Sequence, residues 1–433
     1  MKLSTKSKEY IIPEYSLTGD LLSFLTCNLQ YRYQNKGNLT PSMPVQLWFG
    51  EFIHGALEEA FLKWKNRGND NELEFPWDWE SEIYPIEELI TGRLKVKGLN
   101  PPYEYLNNYG PKDNIYSARL EQSINKWGPH LFPLIDDTEV LLKGLRDLDD
   151  ENAISEYYSI NGVVDVLSSK KVDKESKKIN NMPFQQTLDA YFDNAEKNKI
   201  LNYLSNNDEF KELLKNGLDE YEIIIDYKGM RRPSAPSKDD FSEIQSKMIN
   251  GDLDNSDEYA NFKAWIQHEW QILTYAWLRN NQKNSQKPVV GIIFYLNELV
   301  PSTDDLVAIR EDLKNNETDI SKEFVLKEDW DRLIHWDEKF DLPIHRDLSE
   351  KFKMDRSIRI INIDKELMND SLKEFDKVVR DIESSMIKEI NGYSIKEAWK
   401  ADAEKRTCTA CDFRTFCDKR KCDETEKQVF TIP

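Results

Sequence analysis

No apolar run in the chain approaches the length of ~18 residues that a membrane-crossing helix needs. The opening stretch, MKLSTKSKEYIIPEYS, also lacks the apolar segment of a signal peptide. A soluble, cytoplasmic protein with no membrane partner is therefore the expectation. Positive charge is in deficit: the formal net charge is −20. That balance argues against coating of nucleic acid by bulk electrostatics, because phosphate binding draws on Lys and Arg. It leaves room for a local basic site. No internal repeat is visible, and no Gly-x4-Gly-Lys-[Ser/Thr] phosphate loop occurs, which argues against a P-loop nucleotide hydrolase. Cysteine is scarce, with five in 433 residues.

The distribution of those five is uneven. Four crowd the C-terminal end as Cys408-x2-Cys411-x5-Cys417-x4-Cys422, while Cys27 stands alone near the other end. In a reducing compartment such spacing reads as metal ligands rather than disulfides. A chain of this length makes roughly three domains, or one elaborated domain with insertions. Either can bury a sizeable core.

Residues 44–66 carry apolar groups at three- and four-residue steps, which predicts a helix bearing His54. Residues 1–67 thus form an N-terminal segment that holds Cys27 and this helix. Residues 68–150, rich in Asn, Pro, Gly and aromatics without a sustained period, read as an inserted, partly helical lobe. A core follows over 151–300, with β-rich runs at 157–167 and 221–227 and from Val289 to Asn297. Polar stretches at 168–218 and 233–258 interrupt it as insertions. Helical periodicity resumes at 259–280. A connecting lobe over 301–370 leads to a C-terminal unit, 371–433, made of a helix at 371–391, capped by Asp370 or Ser371, and the cysteine tail.

The chemistry gathers at strand ends. Asp165 closes one apolar run and Asp226 another, so both carboxylates can face one divalent cation. Mg2+ and similar hard ions take oxygen ligands and keep several waters, which suits a site facing phosphate. Lys228 lies two residues past Asp226 and so shares its strand face. There it can orient water and stabilise charge that develops on phosphate. Asp-x-Lys alone is common and is more often a strand-end salt bridge. The helix-borne His54 can add a nitrogen ligand or serve as an ordinary hydrogen-bonded histidine. Gln271 and Tyr275, one helical turn apart, share a face toward the site or pack on the sheet. Arg231 and Arg232 follow the second strand directly and can hold a DNA backbone without reading bases. Glu222 shares a strand face with Asp226 but lies too far along the strand to reach the same ion.

Taken in order, SFLTCNLQYRYQ around Cys27, GEFIHGALE around His54, INGVVD ending at Asp165, EIIIDYKG around Asp226 and Lys228, QILTY from Gln271 to Tyr275, and CTACDFRTFC from Cys408 to Cys417 resemble the PD-(D/E)XK nucleases. The resemblance is to their RecB-like iron–sulfur branch, which includes the AddB nuclease domain and the CRISPR-associated adaptation nucleases. It spans nearly the full chain, although long stretches between motifs match nothing in that pattern. It implies an α/β fold with a restriction-endonuclease-like core, a central mixed sheet flanked by helices, carrying helical insertions and a C-terminal Fe–S tail.

The activity implied is Mg2+- or Mn2+-dependent hydrolysis of DNA, exonucleolytic with single strands favoured, in DNA repair, recombination or antiviral defence. A helicase or other subunit would supply unwinding. The catalytic set would be Asp165, Asp226, Lys228, Gln271 and Tyr275, with His54, Asp165 and Asp226 on the metal. Cys27, Cys408, Cys411 and Cys417 would bind a [4Fe–4S] cluster, leaving Cys422 surplus. That surplus sustains an alternative: a catalytically silent DNA-binding or scaffold subunit, with Zn2+ held by Cys408, Cys411, Cys417 and Cys422. The insertions between Asp165 and Asp226 and between Lys228 and Gln271 are wider than in compact relatives.

Overall fold

A computed structural model describes residues 12–39, 45–66, 74–148, 154–171, 198–218, 220–235, 257–283, 285–315, 325–339, 344–401, 403, 405–414 and 417. Cys422 and most of both expected insertions, 172–197 and 236–256, lie outside the described residues. In chain order the elements that matter for the site are β1 (Glu14–Ser16), α1 (Val45–Asn66), α2 (Tyr84–Val96), β2 (Asp137–Asp147), β3 (Tyr157–Lys171) and β4 (Glu220–Lys228). They continue as α3 (Asp257–Asn280), β5 (Pro288–Tyr295), β6 (Ile358–Asn362), α4 (Lys365–Ile390) and the short α5 (Lys405–Ala410).

The six strands make one mixed, open sheet. β2, β3 and β4 run antiparallel in succession, β5 lies parallel to β4, and β6 pairs antiparallel with β5. The short β1 pairs in parallel with the beginning of β3. Both faces of the sheet are covered, which is why β4 and β5 read as near-continuous apolar runs. On one face Ile223, Ile225 and Tyr227 of β4 join residues of α1 and α2; on the other, Ile224 and β5 residues Ile293 and Tyr295 join α3 and α4. This split follows from side chains that alternate along a strand.

Two glycines set how closely α3 can lie on the sheet. A Cβ at Gly291 of β5 would come within 2.0 Å of Ile272, and one at Gly162 of β3 within 2.7 Å of the Tyr275 ring. Their bare backbones let α3 descend far enough for its polar residues to reach the strand ends.

Five of the expected elements form close to where periodicity places them. The differences have identifiable causes. β2 lies within the stretch 68–150, yet it is a strand of the central sheet rather than part of a separate lobe. Its solvent side carries Leu141 and Leu145, 70 % and 55 % exposed, so apolar residues point both ways and no alternation shows. The last long helix starts six residues before the expected 371, at Lys365, because the Asp364 carboxylate caps it by accepting from the amides of Glu366 and Leu367. Within 301–370, Leu306, Ile309, Leu313, Leu333 and Trp336 make a small core of their own, but β6 leaves that region to join the main sheet. No described helix is long and apolar enough to cross a membrane.

Candidate metal centre and cysteine cluster

The β3–β4 ladder ends at the pair Val166↔Ile225. One step further stand Asp165 and Asp226, facing each other across the opening between the strands. Here the Tyr227 amide donates to Asp165 Oδ2 at 2.7 Å, so a carboxylate has taken the place of a ladder carbonyl. On the other side of β3 the register with β2 runs Thr138↔Val166 and Val140↔Val164, which puts Glu139 across from Asp165. Glu139, Asp165 and Asp226 thus form one row of carboxylates over three strands. Like charges directly opposed across strands are destabilising.

Two features accompany this repulsion. Glu139 has a left-handed backbone, with φ of 51°, a conformation that costs a non-glycine residue about 1 kcal/mol or more. Its carboxyl is raised above the usual carboxylate range by burial and then by the Asp165 charge. The Asp165 carboxyl moves the other way: burial opposes ionisation, but His54 and the Tyr227 amide hold it below its ordinary value. Asp226 is raised by burial and by Asp165, against the pull of Lys228. Neighbouring carboxylates pushed apart in this way share their protonation rather than titrating alike.

α1 delivers His54 to the same place. Its Nε2 lies 3.0 Å from the Tyr227 carbonyl oxygen and its Nδ1 lies 3.2 Å from Asp165 Oδ1. Both neighbours are acceptors, so without a cation the ring needs a proton on each nitrogen. Burial resists that charge, but Asp165 prevails and raises the pKa to about 9. The imidazolium therefore supplies the positive charge that the carboxylates demand. A ligand atom from each of His54, Glu139 and Asp165 lies within 4.8 Å of the others, which suits one shared cation. Their N and O donors fit a hard or borderline divalent ion.

Asp226 is turned toward the neighbouring groups. Its Oδ2 lies 2.6 Å from Lys228 Nζ, a buried ion pair. Gln271 joins the parts through all of its donors and its acceptor. Its Oε1 accepts from Lys228 Nζ at 2.8 Å, while Nε2 donates to Asp226 Oδ1 at 3.1 Å and to Tyr275 Oη at 3.0 Å. The reverse amide orientation would set NH2 against the ammonium. Burial disfavours the Lys228 charge, but Asp226 outweighs it and raises the Lys228 pKa.

Asp165, Asp226, Lys228, His54, Gln271 and Tyr275 are therefore gathered as expected, and Glu139 joins them without having been anticipated. Arg231 and Arg232 depart from their expected role on a DNA backbone. Arg231 pairs with Asp312 at 2.5 Å. Arg232 is 3 % exposed and its guanidinium donates to the carbonyls of Arg356 and Ile358 at 3.1 and 2.5 Å. Arg231 thus ties the end of β4 to the helix Thr303–Asn315, and Arg232 ties it to the approach to β6. Glu222 holds Arg279 through two bonds of 2.7 and 2.6 Å, in keeping with its exclusion from the site.

Elsewhere a segment near the N-terminus, around Cys27, meets one near the C-terminus, around Lys400 and Cys408. Cys27 is buried at an extended break, φ −166°, between the helical turns Ser23–Thr26 and Asn28–Tyr31. Cys408 lies on α5, and Cys411 follows with its amide bonded to the Cys408 carbonyl at 3.2 Å. The Cys411 thiol is pushed up to about 11, first by burial and then by Cys27, Cys408 and Cys417. Four thiols from both ends of the chain thus share one neighbourhood. Packing supports the junction: the Leu29 amide donates to the Lys400 carbonyl at 2.9 Å, and Arg32 and the Trp399 indole both donate to Glu389. No protein-family model matches the chain, and no curated protein matches its sequence.

Proposed function

We propose that the protein is a metal-dependent DNA nuclease of the PD-(D/E)XK type whose chain ends are joined by an iron–sulfur cluster. The observation that carries this reading is the row of Glu139, Asp165 and Asp226 across three strands, with Lys228 beside it and His54 above. An ordinary strand-end salt bridge needs one carboxylate and one lysine. Here two further carboxylates and a strained backbone accompany it, a combination that a divalent cation would relieve. The mixed sheet with helices on both faces accords with a restriction-endonuclease-like core.

Mg2+ or Mn2+ would be held by His54, Glu139, Asp165 and Asp226, and when bound supplies charge for the phosphate and lowers the pKa of water. The chain's own contribution is positioning. Lys228, kept cationic by Asp226, offers Nζ to a phosphate oxygen on which negative charge grows. Gln271 fixes the direction of that ammonium. Tyr275 fixes Gln271 in turn. The favoured substrate is single-stranded DNA, with unwinding left to a helicase or another repair or defence subunit.

The four gathered thiols, Cys27, Cys408, Cys411 and Cys417, would ligate a [4Fe–4S] cluster. The inclusion of Cys27 supports this set over one drawn from the tail alone. Incubation of anaerobically purified protein with linear and circular single-stranded DNA and Mn2+ tests the catalytic reading. Degradation of the linear strand by the wild type and its loss in Asp226→Asn are expected. Equal activity in the two proteins would refute the assignment.

A further inference from the structure

His268 lies on α3 one turn before Gln271, so both face the sheet. It belongs to no motif considered so far. Its Nδ1 is 3.0 Å from Tyr295 Oη. Tyr295 is the β5 residue in register with Lys228 of β4, and adjacent strands direct registered side chains to one face. The His268 ring, the Tyr295 hydroxyl and the Lys228 ammonium therefore line the same side of the sheet, on the flank away from Glu139.

The charges around Tyr295 favour one tautomer of His268. The Arg359 guanidinium of β6 lies near the Tyr295 hydroxyl and acts against the burial that raises its pKa, and a guanidinium has only donors. That nearby positive charge draws the lone pairs of the Tyr295 oxygen toward itself, which favours the hydroxyl hydrogen pointing to His268 Nδ1, 3.0 Å away. Burial, with Lys228 and Arg359 nearby, keeps the ring neutral by pushing its pKa well below the ordinary histidine value. A neutral ring that accepts at Nδ1 carries its hydrogen on Nε2. Among the described residues nothing accepts from that N–H, and the ring is only partly buried.

We infer that His268 presents Nε2–H to a non-bridging phosphate oxygen of the bound strand, on the Lys228 side of the centre, with Tyr295 and Arg359 as the relay that fixes its tautomer. A neutral donor suits this place. It adds a directed hydrogen bond beside the Lys228 ammonium without a second buried charge. The inference rests on the nuclease reading but concerns a residue outside its catalytic set.

The test uses the full-length wild type, His268→Ala and His268→Gln. Cleavage is followed with a labelled single strand in Mn2+, and strand contact by 15N NMR of the histidines in Ca2+. The wild-type His268 is expected to show the Nε2-protonated tautomer, and its N–H signal to move when a phosphodiester strand is added. His268→Ala should lose about 10- to 100-fold in kcat/KM, the worth of a hydrogen bond to a charged group, with Mn2+ affinity unchanged. His268→Gln should recover part of that loss through its amide N–H, which a purely structural role would not predict. Tyr295→Phe should shift the tautomer balance toward Nδ1. Wild-type cleavage rates in His268→Ala, or an Nδ1-protonated ring in the wild type, would overturn the inference and leave the nuclease reading intact. A wild type that cuts no DNA but whose His268 signal still moves with the strand would refute the nuclease reading and keep His268 as a phosphate contact. Inertness in both measurements would refute both.

Discussion

The carboxylate row and the cysteine cluster are built on opposite principles. Glu139, Asp165, Asp226 and Lys228 are side chains of sheet strands, and the backbone beneath β4 and β5 is held by ladders and by cores on both faces. Removing one of these side chains leaves that scaffold in place. Cys27, Cys408, Cys411 and Cys417 sit instead on short helical turns and loops at the chain ends. There a backbone bond between the Leu29 amide and the Lys400 carbonyl joins the two segments. In the first region the fold holds the chemistry, and in the second the bound group would hold the fold.

The sharpest break in this comparison is at the catalytic pair. Asp226→Ala or Lys228→Ala should lower Mn2+-dependent cleavage about 100- to 1000-fold, the range for a lost transition-state contact, while near-ultraviolet circular dichroism remains that of the wild type. Full activity in either folded variant would remove these residues from the chemistry. Cys27→Ser should do the reverse. Anaerobic purification should yield colourless, iron-free protein that melts several degrees lower, whereas Cys422→Ser should keep both colour and iron. Retention of iron by Cys27→Ser would shift the metal to the tail cysteines.

Glu139→Gln sharpens the comparison, because metal should change the sign of its effect. In metal-free protein it removes a like charge opposite Asp165 and should stabilise by about 0.2–1 kcal/mol, the scale of a cross-strand charge pair. With Mn2+ present it removes a ligand, so calorimetric titration should show weaker binding. A variant less stable without metal would mean that Glu139 serves packing rather than ligation.

The smallest effect concerns pH. His54 has a pKa raised to about 9 from an ordinary 6.5 in the folded, metal-free protein, so folding takes up a proton. Its contribution to stability is complete below pH 6.5 and is lost as pH rises through about 9. Thermal melts of metal-free wild type and His54→Ala should therefore converge across that interval. Mn2+ must displace this proton, so its affinity should increase with pH up to about 9. Parallel melting curves would show that Asp165 does not hold the His54 charge.

Much of the site could be read before any fold was known, because local patterns mark it. The apolar run EIIIDY ends at a polar Asp-x-Lys, and strand period two places Asp226 and Lys228 on one face; helical period places Gln271 and Tyr275 together. Glu139 carried no such mark. Its importance comes from lying across from Asp165, and pairing register is set by the whole β2–β3 interface. Arg231 and Arg232 misled for the related reason that a basic pair reads the same whether it faces solvent or, as here, Asp312 and buried carbonyls. His268 looked like any helical polar residue until Tyr295 and Arg359 were beside it.

The sequence by itself determined which segments could become strands and helices, and which side chains each would present on a given face, since those follow from backbone geometry and local period. Only the tertiary structure decided that three strands would align Glu139, Asp165 and Asp226, that Cys27 would meet a tail nearly the whole chain away, and which charges would be buried against one another. Those outcomes depend on contacts between residues distant in sequence, whose energies come from shared burial and electrostatics rather than from any local preference.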